Sequence, residues 1–304
     1  NDIIRKFIDM YAGRLRNQVS FMLSACNFYM PIFEEALDAY GLPLELRYLP
    51  IIESALNPSA VSRAGASGLW QFMIGTGKIY GLESNSLVDE RRDPIKATWA
   101  AARYLKEMYD IYGDWNLVIA AYNCGPGTIN KAIRRANGET DYWKIYNYLP
   151  KETRGYVPAF IAANYVMTYY CDHNICPMET NIPASTDTVQ VNKNLHFEQI
   201  ADLCNVPLDQ IKSLNPQYKK QMIPGDSKPY TLRLPIDAIS TFIDKQDTIY
   251  AHRADELFRN RKTVAVKEIT PSTRKTTTAV AGKGKLTYYT IKSGDTLSTI
   301  AGKY

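Results

Sequence analysis

The feature that most constrains the fold of this chain is a change of periodicity near Pro177. Up to about Cys171 apolar residues recur at helical spacing, and after Pro177 they fall into shorter groups separated by Asn, Pro and Lys. The opening pattern is Ile4, Phe7, Ile8, Tyr11, Leu15, Val19 and Met22 with Arg and Lys on the opposite side, which predicts one amphipathic helix over about 3–23. Further helical patterns cover about 31–40, 43–55, 93–112, 115–123 and 154–170. Pro43 suits the first turn of its helix and Pro58 marks the limit of that helix. Pro50 would remove a backbone bond inside it and predicts a kink or a restart just before Glu53. The stretch to Cys171 therefore reads as one mostly α domain.

Beyond it the chain repeats. Val189-x-Val191, Phe197, Ile200 and Ala201 align without a gap on Tyr289-x-Ile291, Leu297, Ile300 and Ala301, so a small module is expected twice. Each copy predicts a short strand, a turn and the start of a helix. The first continues through Val206, Leu208, Ile211 and Leu214-Asn215-Pro216 to a strand over 230–234, whereas the second stops at Tyr304 within its helix. Between them, 261–285 is rich in Thr, Lys and Arg and reads as a solvated linker.

Composition narrows the class of partner. A chain of 304 residues with 45% hydrophobic content supports a sizeable core and about two domains. A net charge of +5 is too mild to argue for nucleic acid but suits a polymer carrying carboxylates. No apolar run is long enough to span a bilayer, and the start does not resemble a signal peptide, so an exported form would need a leader outside this sequence. Five cysteines, an odd number, are not a disulfide framework. Cys171 and Cys176 flank His173, but further ligands at zinc spacing are missing. Free or buried thiols are favoured over a local bridge, and neither a metal nor a cofactor is expected.

The chemistry concentrates at Glu53-Ser54. From Ser54 to Leu82 there is no Asp or Glu, although a two-carboxylate glycosidase needs a partner for Glu53 within a few ångströms. Ile51, Ile52 and Leu56 promise an apolar surround, and a helix C-terminus adds partial negative charge; both favour a protonated carboxyl able to give and retake a proton. An exposed glutamate at a helix end is the plain alternative. Gly65, Gly68, Gly75 and Gly77 allow tight turns near a ligand, and Gln71 can donate and accept hydrogen bonds, as an ordinary loop could also do. The phosphate-cradle ending is missing. Tyr122 and Asn123 stand before Gly125-Pro126-Gly127 at a helix tip, where phenol and amide groups suit a sugar, or simply a capped helix with a packed tyrosine.

Taken in order, Glu53-Ser54 with Ala60, Ser62, Gly65-Ala66, Gly68-Leu69, Gln71 and Met73, then Ala121-Tyr122-Asn123-x-Gly125, then Glu152-Thr153-Arg154-x-Tyr156-Val157 resemble the successive motifs of the lytic transglycosylase (SLT) domain. Tyr289 to Leu297 is similar to the opening of a LysM peptidoglycan-binding repeat. The first copy departs from it, with Asn194-Leu195-His196 in place of Gly294-Asp295-Thr296. The order of parts resembles the membrane-bound lytic murein transglycosylase D type. That resemblance implies a mostly α, lysozyme-like (goose-type) catalytic domain followed by small α+β modules. It divides the chain into an N-terminal helical segment packed on the catalytic domain (1–41), the catalytic domain (42–177), a degenerate LysM-like module (178–236), a connecting segment with the basic linker (237–285) and a truncated LysM repeat (286–304). It further implies cleavage of the bond between N-acetylmuramic acid and N-acetylglucosamine in peptidoglycan without water, giving 1,6-anhydro ends. Glu53 would be both acid and base, with Ser62, Gln71, Met73, Tyr122, Asn123 and Glu152 lining the substrate cleft. A periplasmic location, with attachment to the outer membrane through a leader, follows from the same likeness, and a monomer is the default. A hydrolytic muramidase on the same scaffold and a non-catalytic wall-binding protein remain as alternatives.

Overall fold

A computed structural model of the chain describes residues 1–180, 182–183 and 185–258. The opening periodicity forms two helices where one was expected: α1 (Asp2–Ala12) and α2 (Arg16–Ala39). The break follows from Gly13, whose N–H closes on Asp9 O at 2.9 Å, while the Arg16 guanidinium donates to Ala12 O at 3.0 Å. Helix α2 then runs through Pro31 and absorbs the separate helix expected over 31–40. Pro31 removes one backbone bond, but Phe33, Ala36 and Leu37 directly after it are fully buried, and that burial holds the helix together.

Pro50 acts as its position predicts. A 3-10 turn over Leu44–Tyr48 ends and α3 (Leu49–Ser54) restarts with Pro50 in its first turn. After it come α4 (Ile74–Ile79), α5 (Pro94–Tyr112), α6 (Trp115–Cys124), α7 (Pro126–Arg135), α8 (Tyr142–Ile145) and α9 (Lys151–Thr168). Starts are set by side chains: Asp93 accepts from the N–H groups of Ile95 and Lys96, and Asp114 from that of Leu117. Helix α1 lies along α9, where Gly155 lets the Phe7 ring approach to 3.3 Å of the point a Cβ would occupy. The core centres on the fully buried Trp70, whose indole N–H donates to Thr98 Oγ1 at 2.9 Å and whose ring meets Phe33 edge-on at 5.3 Å.

The second pattern builds a smaller core. Strand β1 (Thr186–Val191) pairs antiparallel with β4 (Tyr230–Pro235), and β2 (Asn194–His196) with β3 (Met222–Pro224). Helices α10 (Phe197–Cys204) and α11 (Leu208–Leu214) lie between them in sequence. Val191, Leu195, Phe197, Ile200, Leu232 and Leu234 are buried together. Helices α12 (Ile236–Asp244) and α13 (Gln246–Ala251) add Phe242 and Ile249 to the same core. Two residues come from the first, helical part of the chain: Leu87 and Val88, between α4 and α5, are 1% and 0% exposed within this second core. Cys171 and Cys176 are exposed free thiols. The linker over 261–285 and the second repeat over 286–304 lie outside the described residues. No helix among the described residues is long and apolar enough to cross a membrane.

Candidate active site

Helix α3 is only six residues long and ends at Ala55 in the left-handed conformation (φ 51°), which places Glu53 in its last turn. Ser54 fixes that end by donating its hydroxyl to Pro50 O at 3.0 Å and to Leu69 O at 2.9 Å, so the helix terminus and the glycine-rich loop are sewn together. A cavity of about 420 Å³ opens there, lined by Tyr11, Gln18, Met22, Glu53, Ser62 and Gln71 among others. Part of the Glu53 surface stays open to this cavity, and dense protein surrounds the carboxyl on its other sides.

The Glu53 carboxyl is pushed up to about 7. Burial is the main cause, and the negative charge of Glu152 in the first turn of α9 adds to it. The hydroxyl of Tyr156, which donates to Glu53 Oε1, works against both by favouring the carboxylate. Tyr156 and Tyr122 are themselves held well above the usual phenol range, first by burial and then by the nearby Glu53 charge. The Tyr122 hydroxyl donates to Trp70 O at 2.8 Å. Around it the rings of Phe72, Tyr80 and Tyr104 form a chain of contacts, with Tyr104 5.4 Å and Phe72 6.5 Å from Tyr122.

Glu53, Ser62 and Gln71 thus share one cavity, while the other expected residues take different positions. Ser62 Oγ accepts from the Ala66 N–H at 3.0 Å and shapes the turn. Gln71 spends its amide nitrogen on Ala60 O at 3.2 Å and Gly68 O at 2.8 Å, so its donor holds the loop and is not aimed at a ligand. Met73 is 45% exposed at the start of α4. Asn123 Oδ1 accepts from Thr153 Oγ1 at 2.9 Å and ties α6 to α9. Glu152 acts on Glu53 through its charge. Tyr156, the direct partner of the carboxyl, was not among the expected cleft residues, although it sits in the Arg154-x-Tyr156 motif. Tyr80 and Tyr104 carried no such signal. No group of three or more His, Cys, Asp or Glu side chains among the described residues is arranged to hold a metal ion.

Comparison with known proteins identifies domain families along the chain. The model of the transglycosylase SLT domain matches residues 30–145, that of the lytic transglycosylase MltD LysM-like domain residues 185–251, and that of the LysM domain residues 289–304. The chain carries a transglycosylase SLT domain followed by LysM-type domains. It is 32% identical over 269 residues to membrane-bound lytic murein transglycosylase D of Escherichia coli K12, covering 86% of this chain and 54% of that protein. It is 33% identical to the soluble lytic murein transglycosylase of the same strain over 124 residues, 39% of this chain and 19% of the other. The crystal structure of the 70 kDa soluble lytic transglycosylase from Escherichia coli superimposes with a TM-score of 0.41 and 29% identity over 47% of this chain and 24% of its own. The chain spans about half the length of the first of these relatives, 54%. Glu53, Ser62, Gln71, Met73, Tyr122 and Asn123 fall inside the SLT match, whereas Glu152 and Tyr156 lie after its end at residue 145.

Proposed function

We propose that the chain is a peptidoglycan lytic transglycosylase that breaks the glycosidic bond between N-acetylmuramic acid and N-acetylglucosamine and leaves 1,6-anhydro ends. The observation that carries this reading is Glu53, a carboxyl pushed up to about 7 at a cavity and hydrogen-bonded by a buried tyrosine. At neutral pH a substantial fraction of it is protonated and can give its proton to the glycosidic oxygen as that bond breaks. The carboxylate left behind is stabilised by the Tyr156 hydroxyl. It then takes a proton from the C6 hydroxyl of the muramic acid, whose oxygen closes on C1. Proton donor and acceptor are one residue, and the nucleophile belongs to the substrate. On this reading Ser62 and Gln71, which line the Glu53 cavity, shape the sugar site, and Tyr122, Met73, Asn123 and Glu152 contribute to the rest of the cleft.

A second reading has one observation in its favour. Glu152 is a second carboxylate whose charge reaches Glu53, and such a group could activate water and make the enzyme a hydrolytic muramidase. Digestion of purified murein sacculi followed by mass spectrometry of the fragments separates the two. Anhydro ends support the transglycosylase, reducing ends the muramidase, and binding without any fragment a wall-binding protein. The LysM-type matches support wall targeting, and the membrane-bound relative supports a periplasmic site at the outer membrane, which fractionation against outer-membrane markers checks.

A further inference from the structure

The LysM-like module does more than a tethered targeting domain needs to do. Its loop between α11 and β3 is bonded to the loop between α4 and α5 by main chain. Asp89 N–H donates to Gln217 O at 2.9 Å, Lys219 N–H donates to Leu87 O at 2.8 Å, and Val88 bridges Tyr218 in antiparallel fashion. The Lys219 ammonium donates to Asn85 O at 2.7 Å and stands 3.7 Å from Asp89 Oδ2.

Asp89 is 1% exposed, and its carboxylate grips Arg91 with two bonds, Nε to Oδ1 at 2.9 Å and Nη2 to Oδ2 at 2.8 Å. The remaining Arg91 nitrogen, Nη1, donates to Gly65 O and to Phe72 O, both at 2.9 Å. Those two carbonyls flank the glycine-rich loop that presents Ser62 and Gln71 to the Glu53 cavity. Buried ionic groups are held this way only when every donor and acceptor is used, and removing one member leaves the others uncompensated.

We infer that the LysM-like module is a fixed buttress of the cleft, and that Lys219, Asp89 and Arg91 are positioning residues that carry its contact to the loop bearing Ser62 and Gln71. The inference rests on the proposed function for its kinetic consequence but not for its structural one. Arg91 supplies a rigid fork that a lysine cannot reproduce, because an ammonium is a point charge and cannot grip both carboxylate oxygens and both carbonyls in one plane.

The test uses the full chain with Lys219→Met, Arg91→Lys and, as a control at the same domain contact, Glu83→Gln. Glu83 meets Tyr230 and Lys228 of the module but does not touch Arg91. Amide hydrogen exchange is followed by mass spectrometry across residues 60–73, together with KM and kcat on soluble murein fragments and the melting temperature. Lys219→Met and Arg91→Lys are expected to speed exchange in that loop about tenfold and to raise KM several-fold with a smaller change in kcat, while Glu83→Gln leaves loop exchange and KM as in the parent. Unchanged loop exchange in both positioning variants, or an equal rise in Glu83→Gln, overturns the inference. If the parent releases no fragments, the enzymatic reading fails, and the exchange data still decide whether the module holds the loop.

Discussion

A carboxyl raised to about 7 from an ordinary 4.5 has a consequence for stability as well as for chemistry. The folded state holds the Glu53 proton more tightly than the unfolded chain, so this contribution is fully present below pH 4.5 and is lost as pH rises through about 7. The loss is at most about 3 kcal/mol. Glu53→Gln is therefore expected to flatten the pH dependence of the melting temperature between those values while cutting murein turnover about a thousandfold, since the amide keeps the shape and cannot transfer the proton. Residual lysis near the parent rate would show that another group supplies the proton. In the parent, activity should fall as pH rises through about 7, because the acid form starts the reaction. Glu152→Gln removes a negative charge and should move that falling limb to lower pH. Tyr156→Phe removes a bond that favours the carboxylate and should move it to higher pH. A pH–rate profile of the two variants reads the opposite signs directly. The place of Glu53 beside the glycine-rich loop was legible because its neighbours form a dense motif and the following stretch carries no acid. The influence of Glu152 and Tyr156 was not, because both act from α9, with Tyr156 lying 103 residues along the chain, and a buried tyrosine at helical spacing looks like core.

Among the elements, the loop over 60–73 gives Ala60, Val61, Ser62 and Gln71 to the wall of the Glu53 cavity and leaves no room for a side chain at Gly68. A Cβ on Gly68 would stand 1.7 Å from Arg91 O, and its φ of +88° is one that side-chain-bearing residues rarely adopt. Gly68→Ala is expected to cost about 3 kcal/mol, read as a lower urea midpoint, and to reduce activity through misplacement of Ser62 and Gln71. An unchanged midpoint would mean that the loop yields and does not define the cleft. Sequence spacing marked the glycines as turn formers, but the reason for Gly68 is a backbone from another segment pressing on it, which no local pattern encodes. The same limit explains the N-terminal helices: periodicity continues across Gly13, lapses after about residue 23 and resumes at Pro31, whereas the chain breaks at the first and runs on through the last, where tertiary burial outweighs one missing bond. Pro50, which sits at a helix start, was read correctly because its effect is local.

At the scale of the molecule, the buried apolar side chains of the described residues form two clusters, one drawn from residues before Pro177 and one mainly from residues after it, and the first repeat folds with strands flanking helices. Their coupling was hidden, because Leu87 and Val88 look like ordinary apolar residues of the first domain until the fold inserts them into the second core. With this insertion and the buried Asp89–Arg91 pair at the junction, the described domains should melt in one calorimetric transition. Two resolved transitions would mean that they are coupled only loosely. The most direct measurement on the enzyme itself is the chemistry of the ends it makes from purified sacculi. Fragments that are one water lighter than reducing-end products, and that disappear with Glu53→Gln, are the expected result; reducing ends from the parent would contradict intramolecular attack by the muramic acid hydroxyl.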